Sequence, residues 1–325
     1  MLEVSGVVGL PSLRSGIPTR MNFRQVLDRS LVRWERSGRI EQIAERVQPS
    51  TARLLDRQPA MDVLSRRSVG HLLHPFVVQV PIGCWTAVAL LDLLQSSVAG
   101  SDRRNSARIL AGAGVVGAIP SVVSGAAEWV HTREGERNIG VVHASANALE
   151  TCFYAASWWA RRRQGTAFAR SLSFAGLAIA SFGGWLGGHL AYVRGVGINT
   201  SAFLSTPRGW TPAVARNEVP IGGIAHAVVD NVHLVLSGSG IGPDGAPAVS
   251  AFQSRCTHRG APLHEGKVEG SCVRCPWHGS LSELTSGKVR RGPASMNQLA
   301  YVTRIVGDTV EVKSDDCGSL RQSVV

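Results

Sequence analysis

The sequence predicts a two-part protein, in which an α-helical transmembrane four-helix bundle is followed by a small all-β domain. Three observations support this fold class. Charged residues make up only 18% of the chain, below the ~25% of a typical soluble protein, although both ends are polar. Four apolar stretches of membrane-spanning length lie in the middle of the chain. Short β-type runs separated by Gly, Pro and Asp follow them, so a single soluble globule and a disordered chain are both excluded.

The composition divides the chain into six segments. Residues 1–20 are rich in Gly, Ser and Pro and predict a disordered N-terminus. Residues 21–64 have helical apolar spacing and predict amphipathic helices; the first of these either lies in the membrane interface or packs, with the second, on the protein itself. The remaining segments are a four-span transmembrane domain, a linker, the β domain and a tail, at residues 65–198, 199–207, 208–316 and 317–325.

The four apolar stretches are the basis for the transmembrane prediction. They are Phe76–Leu94, Ile109–Trp129, Ile139–Ala160 and Ser171–Tyr192. Each has about the 20 residues that a helix needs to cross ~30 Å of hydrocarbon. The links between them are short and polar, so we expect a multi-pass bundle with the lipid bilayer as its partner.

The net charge of +11 bears on partners and on orientation. Nucleic acid is excluded as a partner because no recognisable binding module accompanies the basic residues. Twelve Arg and no signal peptide in residues 1–70 favour a cytoplasmic N-terminus, and an even number of spans puts the β domain on the same side. The Arg content of the short loops favours the opposite orientation. We expect an inner (plasma) membrane protein with its β domain in the cytoplasm.

Two short motifs in the β domain combine cysteine with histidine. Cys256-Thr257-His258 is followed, after sixteen residues, by Cys275-Pro276-Trp277-His278. Two thiolates and two imidazoles could hold a structural zinc, but zinc sites more usually space their first pair by two to four residues. The spacing suits a two-iron cluster to which each loop gives one Cys and one His. Neutral imidazoles leave such a cluster less negative than thiolates do, and so raise its reduction potential.

The segment Cys256–Ser280 resembles the Rieske [2Fe-2S] motif of the ferredoxin-type, non-respiratory branch. Two downstream segments support the resemblance, which covers about residues 208–315. Thr285–Val289 is similar to the TGxV turn of that family, and Gly292–Ala294 is similar to its proline loop. The resemblance implies a Rieske domain at 208–316 with a [2Fe-2S] cluster as its cofactor.

The same resemblance implies the ligands of the cluster. Cys256 and Cys275 would bind one iron through sulfur, and His258 and His278 would bind the other. Respiratory members carry an extra cysteine in each loop and join the loops by a disulfide; this chain has Ala261 and Trp277 there, so that bridge is absent.

Three further positions set the expected reduction potential. Ser280 matches the serine that hydrogen-bonds a cluster sulfide in the family, but Ser282 replaces the usual aromatic residue and Glu283 the usual Asp. We therefore expect a potential in the low or middle part of the Rieske range. The nearby Cys272 is expected to pack rather than to bind iron.

Residues 65–198 resemble a bacterial four-helix membrane domain of unassigned function that often precedes a Rieske module. Matching segments include Val80–Gly83 and Leu186–Leu190. Polar groups in hydrocarbon are costly and mark candidate sites. His74, His143 and His189 could therefore line an interior site for a b-type haem or a quinone. Alternatively, they form hydrogen bonds between helices or lie at headgroup level.

The sequence also limits the reaction. A Rieske oxygenase needs a mononuclear iron bound by two His and a carboxylate, and the 47 residues after His278 contain no histidine, so we expect that the chain is not a complete oxygenase. It could be a membrane-anchored iron-sulfur protein carrying single electrons to or from a quinone, a reductase or a partner oxidoreductase. The alternative is a redox-responsive membrane sensor whose cluster changes state without net electron flow.

Overall fold

The computed structural model describes residues 22–55, 72–94, 101–163, 166–202, 204, 207–241 and 247–314. The predicted disordered N-terminus at 1–20 and the predicted tail at 317–325 lie outside these residues, as do parts of the linker. Within the described ranges a helical half is followed by an all-β half, which confirms the predicted fold class.

The helical half contains six long helices and one short one among the described residues. Two helices precede the apolar segments: α1 (Phe23–Glu35) and α2 (Gly38–Leu55). A short turn of helix, α3 (His74–Val77), leads directly into α4 (Gln79–Leu94). Three long helices follow, and the last ends in a π-helical turn at His189–Val193: α5 (Ser101–Trp129), α6 (Glu134–Arg162) and α7 (Thr166–Gly188).

The prediction of four equivalent spans needs a correction. All four apolar stretches are helical, but only three described helical segments are long and apolar enough to cross a membrane: His74–Leu94, Arg104–Trp129 and Ala167–Val193. Helix α6 is as long as α5 but carries charged residues in its first turn and buried polar side chains, Asn138 and Glu150, along its length. Its polar side faces the other helices, which lowers its mean hydropathy without shortening it.

The helices pack closely because glycines face bulky side chains. A Cβ added at Gly114 would lie 2.2 Å from Trp85 Nε1, and one at Gly183 would lie 2.4 Å from Asn147 Oδ1. Trp85 in turn stacks on Tyr154, with ring centroids 4.5 Å apart. Small residues therefore let the helices approach, as expected where lipid provides no hydrophobic driving force for association.

The two N-terminal helices pack on one end of the bundle, which supports the protein-packed alternative for this segment. Leu31 of α1 is buried in a cluster with Ile139 and Leu186. Gln48 of α2 donates hydrogen bonds from Nε2 to the carbonyls of Trp129, Val130 and Thr132, at 3.0–3.2 Å. These carbonyls belong to the turn between α5 and α6, so α2 fixes the shape of that turn.

The β half contains two antiparallel sheets. The larger has the order β1-β10-β9-β4-β3-β2, and its strands are Thr211–Ala215, Thr309–Ser314, Ala300–Val306, Pro247–Gln253, Val232–Ile241 and Ala225–Val229. The smaller has the order β5-β6-β7-β8, with strands Lys267–Glu269, Cys272–Arg274, Leu281–Glu283 and Val289–Arg291. Alternate residues of β2 are buried, as a half-exposed strand requires. The apolar core between the sheets includes Val235, Phe252 and Val273.

Candidate metal centre

Two loops of equal geometry carry the four predicted ligands. The first follows β4 and the second joins β6 to β7. In each loop the cysteine N–H donates to the carbonyl five residues later: Cys256 to Ala261 at 2.9 Å, and Cys275 to Ser280 at 2.8 Å. In each loop a glycine four residues after the cysteine has a positive φ, +78° and +73°, which a Cβ would strain. The two turns therefore present their side chains in matching ways.

The four predicted ligands come together at the tips of these loops. Cys256 and Cys275 are 1% and 3% exposed, and both belong to the core between the sheets. The rings of His258 and His278 lie 4.9 Å apart, nearly perpendicular to each other. The Nδ1 atoms of both histidines are buried and have no hydrogen-bond partner among the described residues.

The two thiols form one acid–base pair. The Cys256 thiol donates a hydrogen bond to Cys275 Sγ, which lowers the pKa of Cys275 to about 6. Backbone N–H groups of His278, Trp277 and Gly279 lower the pKa of Cys275 further. The hydrogen bond to Cys275 and burial raise the pKa of Cys256. One thiolate is therefore ready at neutral pH, inside a shell of N–H donors that suits anionic sulfur.

The two imidazoles are neutral at physiological pH. Burial lowers the pKa of His278 to about 4, and the positive charges of Arg133 and Arg259 lower it as well. Burial also lowers the pKa of His258 well below its usual range. A neutral imidazole offers a lone pair to a metal, whereas a protonated one does not.

The residues present fit a Rieske cluster on these observations. Such a cluster needs two thiolates on one iron and two neutral imidazoles on the other. The site supplies two adjacent sulfurs, two adjacent rings and unpartnered ring nitrogens. The same donor set also suits a tetrahedral zinc, so the geometry alone does not separate the two metals.

A third histidine touches both of the predicted histidine ligands. His131 lies in the turn between α5 and α6, and its ring centroid is 5.8 Å from that of His258 and 6.4 Å from that of His278. Both contacts are edge-to-face. The ligand loops therefore face the end of the helical bundle rather than open solvent.

Polar contacts tie both loops to the helical half. Arg133 donates from Nη2 to the carbonyl of Trp277 at 3.2 Å. Arg259, next to a predicted ligand, forms an ion pair with Glu136 of α6. On the chain between the two halves, Thr200 Oγ1 donates to the carbonyl of Cys256 at 2.9 Å. Each loop is thus held by at least one hydrogen bond or ion pair from outside the β domain.

Two cavities open at this contact between the halves. The smaller, about 30 Å³, is lined by Glu128, His131, His258 and Arg259 among others, and it has room for a water molecule. The larger is a cleft of about 350 Å³, lined by residues of α2, of the α5–α6 turn and of the second ligand loop. We call it the interface cleft; its lining includes Glu41, Gln48, His131, Arg133, Arg137 and His278.

The three membrane histidines make interhelical contacts. His143 uses both ring nitrogens: Nδ1 lies 2.9 Å from the carbonyl of Gly183, and Nε2 lies 3.1 Å from Asn147 Nδ2. His74 Nδ1 lies 3.1 Å from the carbonyl of Ser121. In His143 these contacts occupy both nitrogens that a haem iron could bind, so a haem in the bundle finds no support at this residue. His189 lies at the bundle end beside Glu35, with 3.7 Å between Nε2 and Oε1.

The sequence reasoning missed His131 and the arginines around it. A histidine two residues after the end of a predicted span is a weak signal on its own, because headgroup-level histidines are common. Its relation to the motif appears only when the two halves pack together.

Comparison with known families now identifies both halves. Residues 70–200 match the model of a predicted membrane protein family, DUF2231, and residues 209–306 match the model of the Rieske [2Fe-2S] domain. This confirms the predicted fusion of a membrane domain with a Rieske domain, and with it the Rieske [2Fe-2S] cluster as cofactor.

The named relatives each match about a third of this chain or less. The chain is 27% identical over 103 residues to the ferredoxin component of the naphthalene 1,2-dioxygenase system from Pseudomonas aeruginosa, covering 32% of this chain and 93% of that protein. It is 40% identical over 70 residues to the toluene-4-sulfonate monooxygenase system iron-sulfur subunit TsaM1 of Comamonas testosteroni, covering 22% of this chain. It spans only 19% of the length of that subunit.

Among solved structures, the ferredoxin of carbazole 1,9a-dioxygenase from Nocardioides aromaticivorans IC177 aligns over 34% of this chain and 100% of its own, with 20% identity and a TM-score of 0.28.

Proposed function

We propose that this chain is a membrane-anchored Rieske protein that carries single electrons and exchanges them at the contact between its two halves. The observation that carries the proposal is the position of His131, a bundle residue whose ring touches both predicted histidine ligands. The ferredoxin components among its relatives support an electron-carrying role. The apolar helices support anchoring in a membrane.

We assign the ligands as the motif implies. Cys256 and Cys275 bind one iron, and His258 and His278 bind the other. When bound, the cluster accepts and releases one electron at a time, and its histidines can couple this to a proton. The protein supplies the surroundings: backbone N–H groups face the cysteine sulfurs, and the positive charges of Arg133 and Arg259 stand beside the histidines. Both features favour the reduced, more negative state.

The finer proposal is that a quinol is the electron donor: its oxidation to quinone releases two electrons and two protons, so one quinol would reduce two oxidised clusters in turn. The interface cleft, at about 350 Å³, falls within the ~300–1,000 Å³ of small-molecule sites. It reaches His278 on one side and the helical bundle on the other. A quinol headgroup there would meet hydrogen-bond donors on Arg133 and Arg137 and an imidazole on His278. The small cavity has room for a water that could accept a proton, and it is lined by Glu128, whose Oε1 has no hydrogen-bond partner among the described residues.

We propose the orientation that the sequence favours, in which an inner-membrane protein has its Rieske domain on the cytoplasmic side. In that orientation, the partner that accepts electrons from the cluster would be a cytoplasmic oxidoreductase. The relatives named above belong to monooxygenase and dioxygenase systems, which supports an oxygenase as the class of acceptor.

The test uses full-length, cluster-loaded protein in proteoliposomes, with a short-chain quinol as donor and the visible absorbance of the cluster as readout. We expect the quinol to reduce the cluster. Arg133→Ala and His131→Phe should slow that reduction about tenfold or more, since each removes a polar group from the cleft. Arg24→Ala, which removes an exposed arginine from α1, is the matched control and should leave the rate unchanged.

Two results would contradict the quinol proposal. One is reduction of the wild type and of both cleft variants at the same rate. The other is a cluster that dithionite reduces but quinol does not. A cluster that quinol reduces but that never passes electrons to any added acceptor would favour the alternative of a redox-responsive sensor.

A further inference from the structure

Three histidines outside the cluster site converge on the surface of the β domain. His226 lies on β2, His233 on β3 and His264 on the 3₁₀ turn Leu263–Glu265 that follows the first ligand loop. One ring nitrogen from each lies within 4.8 Å of the other two. We call this group the trihistidine cluster. We propose that it is a second metal site, which binds a divalent transition metal of the Zn²⁺ type.

The backbone places the three side chains on one face. β2 and β3 form an antiparallel hairpin in which His226 is opposite Val235 and His233 is opposite Val228. The two histidines are therefore diagonal neighbours on one face of the hairpin, within reach of each other, and both are exposed. His226 Nε2 lies 2.9 Å from His233 Nδ1. The third member, His264, follows a segment of the chain that runs beside β3. In that segment, Ser254 donates a hydrogen bond from its backbone N to the carbonyl of His233 at 2.8 Å.

The rings are stacked rather than dispersed. His226 and His264 have centroids 3.8 Å apart and are nearly parallel, and His233 stacks 5.1 Å from His226. Three imidazoles this close cannot all be protonated without strong mutual repulsion. Burial and the neighbouring histidines lower the pKa of His226, and burial chiefly lowers that of His264. The lowered pKa values of His226 and His264 favour the neutral imidazoles, which offer lone pairs to a metal.

The surroundings of His264 are those of a metal-bound imidazole. Its Nδ1 lies 2.7 Å from Ser254 Oγ, which fixes the orientation of the ring. With the hydrogen on Nδ1 donated to that hydroxyl, Nε2 is free to bind a metal, as in known sites where the second nitrogen is held by an outer partner. A carboxylate stands close by, since Glu265 Oε1 lies 3.9 Å from His264 Nε2.

Three imidazoles with one open position suit Zn²⁺, which takes nitrogen ligands at ~2.0–2.1 Å in a tetrahedron completed by water or a carboxylate. A tetrahedron of that size brings ligand nitrogens to roughly 3.3 Å from one another. Binding a metal requires the rings of His226 and His233, which are both exposed, to rotate out of their stacked arrangement so that their nitrogens converge. A metal bound here would join the β2–β3 hairpin to the turn behind the first ligand loop.

Isothermal titration of Zn²⁺ into the cluster-loaded, full-length protein in detergent tests the proposal. We expect one Zn²⁺ per chain, with the visible spectrum of the iron-sulfur cluster unchanged. His226→Ala and His233→Ala should each weaken binding about 100-fold or more, since losing even an outer partner of a ligand typically costs 10–100-fold. Lys267→Ala, an exposed change on β5, is the matched control and should bind as the wild type does.

Zinc K-edge spectroscopy on the same sample identifies the ligands. Nitrogen ligands near ~2.0 Å with imidazole scattering and no sulfur support the trihistidine cluster. Sulfur at ~2.3 Å would place the zinc on Cys256 and Cys275 and overturn the proposal. Failure of the wild type to bind Zn²⁺, or equal binding by the His226→Ala/His233→Ala double variant, would overturn it too. The unchanged cluster spectrum in every variant shows that a loss of binding is not a loss of fold.

Discussion

Two buried polar sites of this protein, one in each half, differ in how their polar atoms are satisfied. At the end of the bundle away from the Rieske domain, Asp92 and Arg161 form a bidentate ion pair with oxygen–nitrogen distances of 3.0 and 2.5 Å. Ser157 and Ser173 complete the hydrogen bonds of that arginine. In the β domain, by contrast, the Nδ1 atoms of both predicted histidine ligands are buried without a hydrogen-bond partner among the described residues.

The difference separates structural polar groups from functional ones. A buried polar atom without a partner costs roughly 1–3 kcal/mol, so two such imidazoles side by side, next to two buried thiols, indicate a ligand that binds them. Asp92 and Arg161 satisfy each other and need no further ligand. The buried Nδ1 atoms of the two histidines at the loop tips, by contrast, would gain a partner only when a metal is bound. The same contrast explains why His143, with both ring nitrogens occupied, is a weak candidate for a haem ligand.

The largest expected effect comes from removing a predicted ligand. Cys256→Ser and Cys275→Ser should abolish the cluster, because a hydroxyl replaces one of the two thiolates proposed to bind the same iron. Iron and acid-labile sulfide analysis of the purified membrane protein measures the loss. Cys272→Ala is the matched control: this cysteine is also buried but is not a predicted ligand, and it should retain both iron and sulfide. Loss of the cluster in Cys272→Ala, with the cluster retained in Cys256→Ser and Cys275→Ser, would contradict the ligand assignment.

The next effect tests the structural half of the comparison. Asp92→Asn leaves Arg161 buried without its counter-charge and should lower the free energy of unfolding by about 3–5 kcal/mol. Thermal unfolding in detergent measures this, while the cluster spectrum at low temperature should stay unchanged. The exposed pair of Arg24 and Asp28 provides the control, since Asp28→Asn should cost less than about 0.5 kcal/mol. Equal effects of the two changes would mean that the Asp92 pair is not structural.

A smaller effect is expected on the reduction potential. Ser280 is fully buried, and its Oγ accepts a hydrogen bond from Ala294 N at 2.9 Å, which leaves its own O–H free to donate toward the cluster. Ser280→Ala should lower the midpoint potential by roughly 60 mV, the equivalent of about 1.4 kcal/mol for one electron. Ser282→Ala, which changes a second buried serine two residues later on β7, is the control. A potential that falls equally in both variants would contradict a specific role for Ser280.

The smallest expected effect is on the free energy of unfolding of the β domain. The Glu283 carboxylate accepts hydrogen bonds from Ser286 at 2.5 Å and from Arg290 at 2.6 Å, and these partners hold its pKa below the usual 4.5. Because the unfolded chain takes up this proton more readily, the stabilisation is present at neutral pH and is lost as pH falls through the lowered pKa.

Glu283→Gln should therefore cost about 1 kcal/mol at pH 7 and progressively less below pH ~4.5. Denaturant unfolding at pH 7 and pH 4 measures the difference. A cost that stays constant across that range would mean that the carboxylate charge contributes nothing.

The cluster-binding loops could be predicted from sequence because their chemistry is local. Cys256 and His258 are one residue apart, and the loop geometry repeats at Cys275. The strand Ala225–Val229 was equally predictable, since its buried and exposed residues alternate. The strand Thr211–Ala215 was missed: it contains Pro212, and its partner strand lies about a hundred residues later in the chain.

What sequence could not supply is the relation between the halves. His131 and Arg133 lie more than a hundred residues before the motif that they contact, and nothing in their own neighbourhood marks them. The trihistidine cluster was missed for the same reason. Its members come from a hairpin and a distant turn, so their spacing of 7 and 31 residues matches no local metal motif.

The most direct test of the central claim is pulsed EPR of the dithionite-reduced protein in its native membrane. A cluster held by two cysteines and two histidines predicts a reduced [2Fe-2S] signal coupled to two imidazole nitrogens, and substituting either His258 or His278 should abolish that signal or remove one of the couplings. A reduced cluster with no nitrogen coupling would contradict the account, as would a protein that contains zinc and gives no signal.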